Sequence, residues 1–450
     1  MSGTDGDKNG GKSREKSVPK TRASRFGRMA RLAGGVAAGM MGEGIRQLSQ
    51  GQRPQLSNLA LTPKNARRLT EQLSAMRGAA MKLGQMLSME TADFLPKELA
   101  DILSQLRSQA YQMPATQLEK VMSDALGENW RSRFAAFNDK PMAAASIGQV
   151  HRAETPSGDS IVVKVQYPGV AQSIDSDVDN LATLLRLTSL LPAKLDISRL
   201  LRDTKKQLHE EADYHREAQY LKEFGEQLAD DERFVVPHVF LELSAETVLA
   251  MSYVQGEPIE SLIEYEQDVI NDALEALFAL LFKEFFELQL MQTDPNFANY
   301  LYQSDTDRLV LLDFGATRHF SKTFVVNYKR LLRAVIAGDE QAMIDAAMKV
   351  GYLANDSTED YQRFLVDVFS IFLEPFATEG VYDFSQARLT KRLSAASEAM
   401  MDFRSNWQAP PTDAVYLHRK VGGLFMLAMR LGAQVDVNAM LKPYLTTLKV

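Results

Sequence analysis

The chain has 450 residues, 45% hydrophobic and 24% charged, ordinary values for a soluble globular protein. It has no cysteine, which excludes a disulfide framework, a thiol nucleophile and a cysteine-based zinc site. The net charge of −7 is uneven: residues 1–31 hold nine Lys/Arg against three Asp/Glu, a net of +6, which leaves −13 for the rest.

Residues 1–24 are polar, basic and Gly/Ser-containing and read as a disordered basic tail. Such a tail on an acidic body suits an anionic lipid surface, and it equally suits a solvated tail with no partner. It is too long a basic run for a secretory signal, and its early Asp residues argue against an organellar transit peptide. Residues 25–48 read as a Gly-rich amphipathic helix for a membrane surface, with a GxxxG step at Gly35 and Gly39. A flexible hinge is the competing reading. The apolar runs Leu32 to Gly42 and Ala276 to Phe282 are too short to span a bilayer, so no transmembrane helix is expected.

Residues 49–133 read as a helical extension, with Leu69, Leu73, Met76, Ala80 and Leu83 at three- and four-residue steps. The period then changes. IGQVHRA at 147–153 alternates as a strand, PSGD at 156–159 is a turn with Gly158, and 160–168 is β-rich. Helical pattern returns over 173–228, with an insertion at about 169–205, and strands are expected at 233–242 and 246–254. Residues 134–255 thus form a mostly β lobe. Residues 256–450 form a helical lobe whose one expected strand is LVLLDF at 309–314.

Chemistry-bearing residues follow in the order a kinase needs them. Lys164, in VVKVQ on the second strand of the hairpin, stands where a phosphate-binding lysine would. Glu217, on a helix 53 residues later, is its expected partner. Asp294 and Asn299 keep the D-x-x-x-x-N step of a catalytic loop. Fourteen residues on, a buried strand ends in Asp313-Phe314-Gly315. Two Mg²⁺ ions need hard oxygen ligands close together, which the Asn299 amide and Asp313 carboxylate supply. Asp294 is the expected catalytic base. Ala143, Ala144, Ala145 and Ser146 occupy the place of a Gly-rich phosphate loop, and alanine lacks glycine's access to positive φ. Met251, Tyr253 and Val254 are the expected adenine-hinge positions.

Two kinase parts are missing. Gln292-Thr293 stand where His-Arg would precede the catalytic Asp, and no Ala-Pro-Glu follows Asp313. The platform that holds a peptide substrate is therefore not expected. HEEADYH is no zinc motif, since His209 and His215 are six apart rather than four. The basic tail lacks interleaved aromatics, so no nucleic-acid partner is expected.

MKLGQMLS, AAASIGQVHRA, VVKVQYPG, EEADYHREA, QTDPNFANYLY and LLDFG, in this order, resemble the UbiB (aarF-domain) family of atypical protein-kinase-like proteins. The basic N-terminal segment and QTDPN resemble its coenzyme Q-associated branch. The resemblance implies an α+β, two-lobed protein-kinase-like fold, mostly helical, with a helical N-terminal extension carrying a KxGQ motif. It implies ATP and Mg²⁺ as cofactors and a regulatory gate in which Lys82 and Gln85 cross the active site and meet Glu211. It also implies ATPase or atypical kinase activity in support of ubiquinone biosynthesis, with quinone-like lipids and ubiquinone-biosynthesis proteins as partners. The location implied is the cytoplasm, peripheral to the inner membrane, in a bacterium, or the mitochondrial inner membrane in a eukaryote. A small-molecule kinase and a nucleotide-switched scaffold are the alternatives. The oligomeric state stays open, a homodimer included.

Overall fold

A computed structural model describes residues 78–80, 82, 113–187, 198–399 and 410–446, which fall into two compact units. The first runs to Ala218 and takes in Val239–Tyr253; the second holds Gln219–His238 and Val254 onward.

In the first unit, helix α1 (Ala115–Leu126) is followed by strands β1 (Ala136–Phe137), β2 (Ala143–Ala144), β3 (Gly148–Glu154) and β4 (Ser160–Gln166). Next come helices α2 (Val170–Leu187), α3 (Ser198–Glu211) and α4 (Tyr214–Gln227). Helix α4 continues into the second unit. Strand β5 (Phe234–Val235) belongs to the second unit, and β6 (Val248–Ser252) returns to the first.

The first unit's sheet is antiparallel, in the order β1-β3-β4-β6 with β2 also on β3. The period-2 pattern of SIVVKVQ decides its faces. Ile161, Val163 and Val165 point into a core with Leu118, Val121, Met122 and Trp130, whereas Val162 and Lys164 point the other way. Each such aliphatic side chain, once buried, contributes about 1.5–3 kcal/mol, so the core fixes the register that turns Lys164 outward. Gly148 is required there, because a Cβ would lie 2.3 Å from the Val165 carbonyl oxygen.

In the second unit, strands β7 (Glu257–Pro258), β9 (Tyr300–Gln303) and β10 (Arg308–Leu311) join β5 in the order β5-β10-β9-β7. Between β7 and β9 lie α5 (Gln267–Phe282), a π-helical turn at Lys283–Leu288 and β8 (Leu290–Gln292). Strand β8 pairs antiparallel with β11 (Thr317–His319). Helices α6 (Lys322–Ala337), α7 (Glu340–Val350) and α8 (Glu359–Phe372) follow. Near the end, α9 (Thr412–Leu431) is ended by Gly432 in the left-handed region.

Three expectations differ from the structure. Of 233–242, only Phe234–Val235 is a strand; Pro237 lacks the N–H a ladder needs, and Leu241–Leu243 is a 3-10 turn. After Glu260 the second unit holds more than one strand. Strands β8, β9 and β11 are three or four residues long, too short to show a period. The strand read at 309–314 ends at Leu311, which leaves Asp313 beyond it.

Candidate functional site

In the first unit, the Lys164 ammonium lies 2.5 Å from Glu217 Oε1, with the two side chains 12% and 4% exposed. Glu217 is in the first turn of α4, where a helix N-terminus favours a carboxylate. Asp213 starts that helix by accepting the Arg216 N–H at 3.0 Å. A lysine buried this far needs a counter-ion, and burial makes the pair costly to break from one side.

The alanine-rich segment is a hairpin rather than an open loop. Ala143 and Ala144 pair with Val150 and Gln149, and the Ala145 N–H donates to the Gly148 carbonyl at 2.9 Å. Ala143–Ser146 have no positive φ, so no glycine is needed there. The Ser146 hydroxyl donates to Glu211 Oε2 at 3.1 Å, and the other Glu211 oxygen is ion-paired with the buried Lys82. Gly78 packs so closely that a Cβ would sit 2.9 Å from the Ser146 carbonyl oxygen. Lys82, Glu211 and the hairpin are thus joined, while Gln85 lies outside the described residues. Met251 is buried opposite Val162, and the Tyr253 ring is covered by the Arg152 guanidinium at 3.1 Å. Val254 opens the second unit's C-terminal portion.

In the second unit, the segment between β8 and β9 is held at both ends. The Thr293 N–H and hydroxyl both donate to the Ala316 carbonyl, at 3.3 and 2.7 Å, which fixes the residue before Asp294. Asn296 caps the 3-10 turn Phe297–Asn299 through the Ala298 N–H. The Asn299 carbonyl accepts the Leu312 N–H at 2.9 Å, which ties the asparagine to the residue before Asp313. Asp313 Oδ1 accepts the Gly315 N–H at 2.9 Å, and Phe314 is buried with its ring 4.6 Å from that of Phe224.

Asn299 is buried and its amide nitrogen, a donor that would face an acceptor such as a phosphate oxygen, has no hydrogen-bond partner, which leaves metal binding to the amide oxygen. Among the described residues no group of three or more His, Asp or Glu could hold a metal alone. Asn299 and Asp313 fit a Mg²⁺ ion whose remaining ligands are phosphate oxygens and water, as is usual for this ion.

Sequence reading passed over α9. Its Lys420 is buried and reaches Tyr300 Oη at 2.9 Å, Gln292 Oε1 at 3.4 Å and Glu284 Oε2 at 3.5 Å. Gly423, one turn on, packs against Pro295 so tightly that a Cβ would lie 2.2 Å from the proline Cβ. The available signal was faint: Lys420 closes a His-Arg-Lys run that reads as surface, and the glycine pair at 422–423 follows it in the same helix.

Residues 105–347 match the ABC1 atypical kinase-like domain. The chain is 39% identical over 429 residues to the mitochondrial atypical kinase COQ8 of Saccharomyces cerevisiae, an alignment spanning 95% of this chain and 85% of that one. It is 39% identical over 436 residues to the mitochondrial atypical kinase COQ8 of Schizosaccharomyces pombe, spanning 95% and 70%. Among solved structures, that of Rv3197 with erythromycin from Mycobacterium tuberculosis matches with a TM-score of 0.60 at 26% identity, over 84% of this chain and 95% of that one. These likenesses bear out the two-lobed, kinase-like α+β fold expected from the motifs. With one domain matched over more than half of its length and relatives aligned over nearly all of it, the chain belongs to the ABC1 atypical kinase-like family, the UbiB family of the motif resemblance.

Proposed function

We propose that this protein binds Mg-ATP and acts as an atypical kinase or ATPase that supports ubiquinone biosynthesis at a membrane surface. The observation that carries the nucleotide reading is the ion pair of Lys164 with Glu217, which orients an ammonium on the outward face of β4. In this reading Lys164 binds the phosphates and Asn299 and Asp313 hold the metal. The ion neutralises charge on the phosphoryl group when bound. Asp294 orients the attacking oxygen and takes its proton, a role that counts in the transition state more than in the ground state.

The pathway reading rests on the COQ8 relatives and on the motif resemblance. Lys82 on Glu211, with Ser146 on the same carboxylate, supports a gate that makes the chain a poor protein kinase. The basic N-terminal segment supports peripheral attachment to anionic lipid; among the described residues no helix is long and apolar enough to cross a membrane.

The test is thermal shift with Mg-ATP. Asp313→Asn removes a charged metal ligand and should weaken Mg-ATP binding by more than about tenfold, or about 1.4 kcal/mol. An undiminished shift in that variant refutes the metal assignment. Quinone pools in a strain lacking the gene, complemented by wild type or by Asp313→Asn, test the pathway.

A further inference from the structure

The interior of the second unit holds an ammonium that the nucleotide reading does not use. Lys420 sits mid-helix in α9 and is 5% exposed, with Glu284 1% exposed beside it. Its ammonium donates to Tyr300 Oη and Gln292 Oε1 and is ion-paired with Glu284 Oε2. Those partners bracket one segment. Gln292 ends β8 two residues before Asp294, and Tyr300 opens β9 directly after Asn299. Glu284 lies in the π-helical turn before β8, and its other oxygen accepts the Gln292 N–H at 3.3 Å. A turn along α9, Gly423 meets Pro295 in the middle of the same segment. A turn back, Tyr416 lies under the Arg318 guanidinium of β11, 3.7 Å away. Residues 416, 420 and 423 share one helical face.

We propose that Lys420 is a positioning residue for the Asp294–Asn299 segment. Its ammonium clamps both ends of the segment, and Gly423 lets the helix press against its middle. The clamp sets the separation of the expected base, Asp294, from the expected metal ligand, Asn299. It stands in a chain whose catalytic segment lacks the arginine that protein kinases place before the Asp. The cavity beside it, of about 20 Å³, is too small for more than a water molecule, so the ammonium serves the chain rather than a ligand. Burial lowers the Lys420 ammonium, but Glu284 and Tyr300 outweigh it and hold the group above its ordinary value, charged at any physiological pH.

The inference rests on Asp294–Asn299 being the catalytic segment, and the test separates the two. ATP turnover and the KM for Mg-ATP are measured for wild type, Lys420→Met, Lys420→Met with Glu284→Gln, and Asp294→Asn. Lys420→Met leaves Glu284 buried without its counter-charge and should lower the Tm; the paired change removes both charges and should recover much of that loss. Both variants should lose about tenfold or more in kcat, with KM for Mg-ATP within about threefold of wild type. If the paired variant has wild-type kcat, the ion pair is only structural and the inference is overturned. If Asp294→Asn itself turns over normally, it is the catalytic-segment reading that fails. Should neither lysine variant fold, Tyr300→Phe removes a single hydroxyl; a kcat lowered about threefold at wild-type Tm supports the clamp, and an unchanged kcat overturns it.

Discussion

Lys164, half-buried, and Lys420, buried, are each set against a buried glutamate, one in either unit, and they are held in different ways. Lys164 closes on Glu217 at 2.5 Å from the sheet face opposite the core and keeps some access to solvent. Lys420 is ion-paired with Glu284 at 3.5 Å and donates to Tyr300 and Gln292 inside helical packing. A buried ammonium must be matched in both cases. One pair presents the charge on the sheet face where we propose the phosphates bind; the other consumes it within the chain. The contrast teaches that a buried lysine–glutamate pair does not by itself mark a binding site, and that the face on which it lies decides its role.

The most severe way to break this contrast is to remove the chemistry both lysines are proposed to serve. Asp294→Asn should lower ATP turnover by about 10²–10⁴-fold, the usual scale of a general base, while Mg-ATP binding stays near wild type. Single-turnover kinetics beside a thermal-shift titration would show it. Comparable turnover in the variant would mean that the chemistry lies elsewhere and that neither lysine is explained.

Next in size is the direct comparison. Lys164→Met should lower kcat/KM by about tenfold or more and shrink the Mg-ATP thermal shift, because the lost donor is the one proposed to bind the phosphates. Lys420→Met should keep the shift. If both variants keep it, Lys164 is not on the phosphates. If both lose it, the two lysines do not differ in the way their surroundings suggest.

A smaller effect isolates the α9 face. Gly423→Ala places a Cβ against the rigid ring of Pro295, an overpacking that should cost about 1–3 kcal/mol and reduce kcat. Gly422→Ala is the control: its Cβ meets nothing within 4 Å, and replacing a mid-helix glycine favours the helix by about 1 kcal/mol. Equal melting temperatures for the two variants would show that Pro295 does not need the glycine.

The sequence showed the Asp294, Asn299 and Asp313 spacing because these residues lie within twenty positions of one another and keep a kinase's steps. Lys164 and Glu217 are 53 apart and became legible only through the expected order of parts. The structure brings them within 2.5 Å. The hairpin at 148–166 was readable from alternation and Gly158. Lys420 was not, since its partners Glu284, Gln292 and Tyr300 lie more than a hundred residues upstream and follow no spacing rule. Strands β8, β9 and β11 escaped for a related reason. They are set by pairing across the unit rather than by a local pattern.

The smallest effect sharpens the contrast through acid. His418, two residues before Lys420, has Nε2 3.0 Å from Tyr328 Oη and 2.9 Å from Tyr352 Oη, and its ring stacks on Tyr352. Burial pushes its pKa down from 6.5 to about 4. Below 6.5 the unfolded chain takes up a proton that the folded chain refuses until about pH 4, so the unfolded state gains. Stability is therefore full above about pH 6.5 and falls as pH drops toward 4. At pH 5.5 the loss should be on the order of 1 kcal/mol, part of the ring being still accessible. Burial also holds the His151 imidazole below its ordinary value, so it adds an acid loss of its own, and the His418 share is the difference between wild type and a variant. Urea unfolding at pH 7.5 and 5.5 measures it, in wild type and in His418→Gln, whose neutral side chain cannot take the proton. The wild-type midpoint should fall further than the variant's, which keeps only the His151 share. A fall of equal size in both would place the acid sensitivity in other groups and leave the support of the second unit indifferent to pH. Burial also holds Glu284 above the ordinary carboxylate range, so acid acts on the clamp through this carboxylate and not through the Lys420 ammonium, which stays charged.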